Sequence, residues 1–173
     1  MPESPGWGWI ENHPVVNVSW DDATEYLRWA SEKANRRLAL PTEAQWEYAA
    51  RGGMEGKEFP WGDQFDGRRL WCSVNYKRNR TGAVDRTENI HRNGYGLSDM
   101  AGNVWEWCRD WYGPYGNGFI RDPQGAPTGE EGRCLRGGTW GNDSPDGFQC
   151  VYRLWSRPDD GDNDLGFRLS AGP

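Results

Sequence analysis

Four cysteines, two histidines and one dense acidic run are the residues whose types could carry chemistry on their own. Cys72, Cys108, Cys134 and Cys150 form no Cys-x-x-Cys pair. No histidine stands at zinc-ligand spacing from them, so a structural zinc is not indicated. Two readings of these thiols stay open. Either they pair as disulfides in an oxidising compartment, or they are four small buried hydrophobes. His13 precedes a proline and His91 falls in a loop. Both read as surface or hydrogen-bonded residues, and two histidines cannot build a three-histidine iron site. The run Asp159-Asp160-Gly161-Asp162-Asn163-Asp164 is superficially a calcium loop. It lacks the closing glutamate and flanking helices of an EF-hand.

Such residues need a scaffold, and composition bounds what kind. The 173 residues fit one domain with a real core. The 20 Lys+Arg against 26 Asp+Glu leave a net charge of −6, with no basic cluster, which argues against nucleic acid as a partner. No stretch is apolar enough to span a bilayer, so membrane insertion is not expected. No apolar run follows Met1-Pro2-Glu3-Ser4, so no signal peptide is visible. Display on a cell or virion surface would need a partner. Only 35% of residues are hydrophobic, yet 12 are Trp, and that aromatic content argues for a folded chain. With 24 Gly and 11 Pro, the sequence predicts a loop-rich globule anchored by large aromatic side chains.

The elements follow from local signals. Val15 to Val18 reads as a short strand. Ser19 is an N-cap, with Asp21 and Asp22 in the first turn, and Trp20, Ala23, Tyr26, Leu27 and Ala30 recur at helical spacing through Asn35. Thr42-Glu43-Ala44-Gln45 is a capping box that opens a second helix, and Gly52-Gly53 ends it. Beyond Gly53, short aromatic runs alternate with Gly, Asn, Asp and Pro. Residues 105–111, 135–140, 151–154 and 166–169 read as strands. No linker or repeat is evident. The expectation is a single α+β domain over residues 1–173, with two helices beside a small, mostly antiparallel sheet and long structured loops.

Several phrases are too specific to be composition. They are Pro14-Val15-Val16-Asn17-Val18-Ser19-Trp20, the run from Arg37 to Gly53, Phe59-Pro60-Trp61-Gly62, the run from Asn93 to Trp107, Arg136-Gly137-Gly138-Thr139-Trp140, and Leu165-Gly166-Phe167-Arg168. In this order they resemble the formylglycine-generating-enzyme (sulfatase-modifying factor) superfamily, over nearly the whole chain. The resemblance implies a C-type-lectin-like fold. Family enzymes also carry a strand region ahead of the Pro14 phrase, and this chain has almost nothing there. The same resemblance implies two catalytic cysteines between the Arg-Gly-Gly and Tyr-Arg phrases, whose thiolates bind copper. No thiol stands at either position here, and Cys150 falls at a structural cysteine of the family, with Ala50 where its partner would be. Cu(I) prefers thiolate ligands. The expectation is therefore a protein without catalytic residues and not an enzyme, with Cys150 a free buried thiol.

The resemblance is closest to the variable proteins of diversity-generating retroelements. In those, a diversified stretch lies between two fixed ends, which here correspond to about residues 139 and 168. Between the ends stand Asn142, Asp143, Phe148, Gln149, Tyr152, Leu154, Trp155, Ser156, Asp160, Asp162 and Asn163, with Trp140 at the first end. Mixed aromatic and short polar groups suit an adaptable binding surface, because aromatics give rigid contact at low entropy cost. These residues are expected to face solvent and to bind a macromolecular ligand, a protein. The resemblance further implies a calcium site at Asp99, Gly102, Val104 and Glu106, with no cofactor strictly required. The alternative is a formylglycine-generating-enzyme-like enzyme or maturation factor with non-copper chemistry. That reading expects a cleft and shifted titrations near Arg153, Arg157, Tyr152 or Trp140.

Overall fold

The two expected helices form where local capping dictates. A computed structural model describes residues 2–76, 79–84, 92–129 and 131–171, so His91 lies outside the described residues. Helix α1 spans Trp20–Ala34 and opens with a capping box: Asp22 N donates to Ser19 Oγ, and Ser19 N donates to Asp22 Oδ2, each at 3.0 Å. It ends at Asn35 in the left-handed region, φ 47°. Helix α2 spans Glu43–Arg51, boxed by Thr42 and Gln45 and closed by Gly52 at φ 56°. A short helix, α3, covers Ser73–Tyr76.

The main sheet has four strands. Strand β2 (Trp105–Trp111) is central, and β3 (Arg133–Arg136) runs antiparallel to it. Strand β4 (Leu154–Ser156) runs antiparallel along the other side of β3, and β5 (Leu165–Gly166) runs parallel to β2. The order is β4-β3-β2-β5, so β4 is an edge. A separate pair joins β1 (Leu38–Ala39) to β6 (Ser170–Ala171).

Four strand boundaries differ from the sequence reading. Val15–Val18 is not a strand, because Asn17 sits at φ 56°, although Val16 and Val18 are buried as a strand face would be. Strand β3 stops at Arg136, because Gly137 and Gly138 turn the chain at φ 98° and 77°. A side chain on Gly138 would also press on the Phe148 ring, 2.6 Å from an ideal Cβ. The expected strand at 151–154 is shifted to 154–156, and that at 166–169 shortens to 165–166.

Strand β2 is covered on both faces, which its sequence alternation does not suggest. Trp105, Trp107 and Leu135 pack with Ala23 and Leu27 of α1. Cys108, Cys134 and Cys150 pack with Trp46 and Ala50 of α2. A third cluster gathers Phe59, Leu70, Cys72, Ala101 and Phe148. Each large apolar side chain fully buried contributes roughly 1.5 to 3 kcal/mol. The indoles are also pinned by polar contacts: Trp107 Nε1 donates to Val18 O at 3.0 Å, and Trp20 Nε1 to Cys108 O at 2.9 Å. Arg133 lies between the Trp20 and Trp111 rings, 3.8 and 3.7 Å from their centroids, a cation–π sandwich that ties α1 to β2. All four cysteines are buried thiols outside any disulfide, the second of the two readings left open above.

Candidate functional site

The segment from Thr139 to Arg168 supplies both edge strands of the sheet, β4 and β5; Arg136 bonds its backbone, and Arg153 within it anchors it to α2 and the 112–115 loop. Arg136 is fully buried at the end of β3. Its Nη1 donates to Tyr152 O at 2.5 Å, and its Nη2 donates to Cys150 O at 2.7 Å and to Glu47 Oε2 at 2.6 Å. Arg153 grips Glu43 at the start of α2 and donates through Nη1 to Gly113 O at 3.0 Å. Arg136 thus fixes the carbonyls of residues 150 and 152, and of the side chains above them the Tyr152 ring also meets the buried Trp105 ring, centroids 5.9 Å apart.

Those side chains divide into two groups. Tyr152, Leu154 and Trp155 are exposed at 37%, 36% and 40%, and Asp143, Asp160 and Asp162 are exposed too. The others serve the scaffold to varying degrees. Asn142 is half-buried, and its Oδ1 accepts from Thr139 N at 2.8 Å. Half-buried Ser156 donates to Asp160 Oδ2 at 2.5 Å, and Arg157 N donates to the same oxygen at 3.0 Å, closing a turn. Trp140 is half-buried, edge-on to Trp7 at 5.6 Å, and its Nε1 donates to Asn163 O. Gln149 and Asn163 are half-buried. Phe148 corrects the sequence reading: at 1% exposure it is a core residue stacked on Phe65 at 6.1 Å. A large apolar ring behind a Gly-Gly turn fills the space that the turn opens.

Perturbed groups collect beneath this segment. Burial, reinforced by the Glu43 carboxylate, pushes the Cys134 thiol up to about 12. Burial pushes Cys150 up to about 11 and Cys108 well above the usual thiol range. Tyr115 is pushed up to about 12 by burial and by Glu43. Burial also raises Asp110, whose Oδ2 accepts from Glu43 N at 2.9 Å. Burial works against the Arg153 charge, but the hydrogen bonds and charge of Glu43 prevail and raise it. Just before β5, burial and the Asp162 charge lift Asp164 to about 6. A cavity of about 410 Å³ is lined by Glu43, Glu47, Tyr48, Asp110 and Tyr115, and one of about 390 Å³ is lined by Tyr112, Gly113, Glu131 and Arg153. Glu43, Glu47, Asp110 and Tyr115 were not singled out from sequence. The signal for Glu43 was its place in a capping-box phrase, where it read only as a helix former.

The expected calcium ligands sit elsewhere, around a third and larger cleft. Asp99, Val104 and Glu106 line a cleft of about 840 Å³ beside α1, with Arg168 on its wall. Glu106 is already engaged. Arg168 donates to both of its oxygens, and Trp46 Nε1 donates to Oε2 at 2.7 Å. Gly102 O accepts from Val104 N at 3.0 Å. This donor set suits the Arg168 guanidinium better than a bare dication, which wants six or more oxygens, roughly. Among the described residues, no group of three or more His, Cys, Asp or Glu is placed to hold a metal.

Comparison with known proteins supplies the remaining constraint. The sulfatase-modifying factor enzyme 1-like domain matches residues 5–171. The formylglycine-generating enzyme of Streptomyces coelicolor is 43% identical over 92% of this chain and 52% of its own length. The inactive C-alpha-formylglycine-generating enzyme 2 of Mus musculus is 36% identical over 99% of this chain and 54% of its own. The chain thus spans about half the length of these relatives. Among solved structures, Treponema denticola variable protein 1 superposes with a TM-score of 0.84 at 29% identity, covering 100% of this chain and 76% of that one. The likeness to a variable protein and the lectin-like α+β fold are as the sequence implied. The expectation that the chain is not an enzyme does not stand, because relatives this similar are named as enzymes, the mouse paralogue being named inactive. With its phrases, fold and near-complete match in agreement, the chain belongs to the sulfatase-modifying factor enzyme 1-like family, that of the formylglycine-generating enzymes.

Proposed function

We propose that the chain is a ligand-binding protein of this family, a single domain over residues 1–173 that presents part of the 139–168 segment to a macromolecular ligand, most simply another protein. One observation carries the reading. Tyr152, Leu154 and Trp155 are exposed together on and beside an edge strand, while Arg136 holds the carbonyls of residues 150 and 152 and the Arg153 side chain ties the same stretch to Glu43. Exposed neighbouring aromatic and aliphatic groups mark binding surfaces. A backbone fixed from beneath lets side chains above change with little loss of stability. The likeness to Treponema denticola variable protein 1 supports the same reading. In this reading no cofactor is needed to fold. Arg168 already supplies the positive charge beside Glu106, so chelation with EDTA is expected to leave the melting temperature unchanged.

The test is to display a library randomised at Asp143, Tyr152, Leu154, Trp155 and Asp162 and to select it on an unrelated protein. Most members are expected to stay folded, and some to bind. Loss of folding across the library would overturn the proposal.

A second reading is an enzyme of the formylglycine-generating type with non-copper chemistry. It is favoured by the identity to the Streptomyces enzyme and by the cavity at Arg153, where shifted groups gather. Conversion of a sulfatase-derived cysteine peptide to formylglycine, assayed with and without added copper, is its direct measurement.

A further inference from the structure

We propose that the 840 Å³ cleft beside α1 is a binding site for a small aryl-alkylammonium ion, a ligand with an aromatic body and a protonated amine. The inference does not depend on the reading above: of the 139–168 segment, Phe167 and Arg168 line the cleft, and neither is among the side chains proposed to present a ligand surface.

The cleft is of a size that takes small organic molecules, which occupy pockets of roughly 300 to 1,000 Å³. Its walls combine two chemistries. One is apolar and aromatic. Tyr26 and Phe167 meet edge to face with centroids 5.9 Å apart, and Pro14, Val15, Val18 and Val104 extend the surface. The other is anionic. Among the described residues, the charged lining side chains are Glu3, Asp22, Asp99 and Glu106 against Arg168, four acids minus one base, a net −3. Arg168 is committed to Glu106 by two charge-assisted hydrogen bonds, so it is not available to receive an incoming anion. Asp22 keeps its charge at neutral pH, because hydrogen bonds from the Ser19 side chain and backbone hold it below the usual carboxylate range.

These walls select among ligands. An anion meets the net negative lining. A bare metal ion leaves the aromatic and aliphatic walls unused and must displace Arg168 from Glu106. A neutral apolar molecule covers the walls but gains nothing from the carboxylates. An aromatic ammonium ion uses both: its ring packs on Tyr26 and Phe167, its charge is attracted to ring faces, and its N–H groups donate to carboxylate oxygens.

Benzylammonium and its neutral near-isostere benzyl alcohol are the probes, titrated into the intact chain at pH 7 by calorimetry and ligand-observed NMR. Benzylammonium is expected to bind about tenfold tighter or better, and to weaken in high salt. Tyr26→Leu and Asp99→Asn should each weaken it about fivefold or more while the melting temperature stays near wild type. Tyr26 is half exposed, and Asn accepts the left-handed backbone of Asp99 at φ 55°. Trp155→Ala should leave it unchanged. Equal binding of the alcohol, no effect of Tyr26→Leu, competition by calcium but not by salt of equal ionic strength, or no saturable binding at millimolar concentration would overturn the proposal.

Discussion

Arg153 and Glu43 stand 110 positions apart and meet in a two-pronged ion pair, Nε to Oε1 at 2.6 Å and Nη2 to Oε2 at 2.8 Å. Glu43 opens α2, and Arg153 precedes the edge strand β4. Arg153 also stacks on Tyr115 and Tyr112, 4.1 and 4.6 Å from the ring centroids. The pair therefore welds the helix, the 112–115 loop and the root of the exposed segment into one unit. Buried pairs of this kind add little over a well-packed apolar substitute, but removing one partner strands the other. Their use here is positional.

That asymmetry sets the first prediction. Arg153→Ala leaves Glu43 buried with, among the described residues, only Arg136, 3.6 Å away, as a counter-charge. Urea unfolding should show a loss of about 3 to 5 kcal/mol. Glu43→Gln should cost less, since the amide oxygen still accepts from Arg153.

Burial separates two aromatic residues that the sequence places in one class. Phe148→Ala should cost about 3 to 5 kcal/mol, the range for a core phenylalanine. Trp155→Ala should cost about 1 kcal/mol or less, as surface changes usually do. Equal losses in thermal or urea unfolding would refute the division of the segment into scaffold and presenting groups.

Asp164 makes stability fall as pH rises. Its folded value of about 6 exceeds the ordinary 3.8. Between the two, the folded chain holds a proton that the unfolded chain has released. The stabilisation is complete below about 4 and lost as pH passes 6. Asp164→Asn should remove that slope and be the more stable form above pH 6, by about 1 to 2 kcal/mol after allowing for partial solvent screening. Unfolding midpoints measured from pH 4 to 7.5 on both proteins give the comparison.

The thiols should be inert in the native state. All four are buried, and burial raises Cys108, Cys134 and Cys150 away from the thiolate. Iodoacetamide at pH 8, followed by mass spectrometry, should label them only after denaturant is added. Rapid native labelling of Cys134 or Cys150 would show an accessible thiolate and strengthen the enzymatic reading.

Legibility in the sequence tracked the range of the interactions involved. The boxes Ser19/Asp22 and Thr42/Gln45 are complete within four residues, so both helices could be read directly. Strand ends could not, because the stop after Arg136 depends on positive φ at Gly137 and Gly138, and the placement of β4 depends on its partner β3. Phe148 looked like a presenting aromatic because its neighbour in space, Phe65, is remote in sequence. The Glu43–Arg153 pair was invisible for the same reason. Tyr152, Leu154 and Trp155 are exposed, as the sequence reading expected, on and beside β4, whose outer side no further strand of its sheet covers. The enzymatic status was misjudged because the missing thiols describe one chemistry, whereas the family contains relatives of both standings.

The most direct test of the account compares two randomised libraries in the same display format, with folding read by protease resistance. One varies Tyr152, Leu154 and Trp155, and the other varies Phe148, Arg136 and Arg153. The account predicts that most members of the first resist protease and nearly none of the second do. Similar survival in both libraries would contradict it.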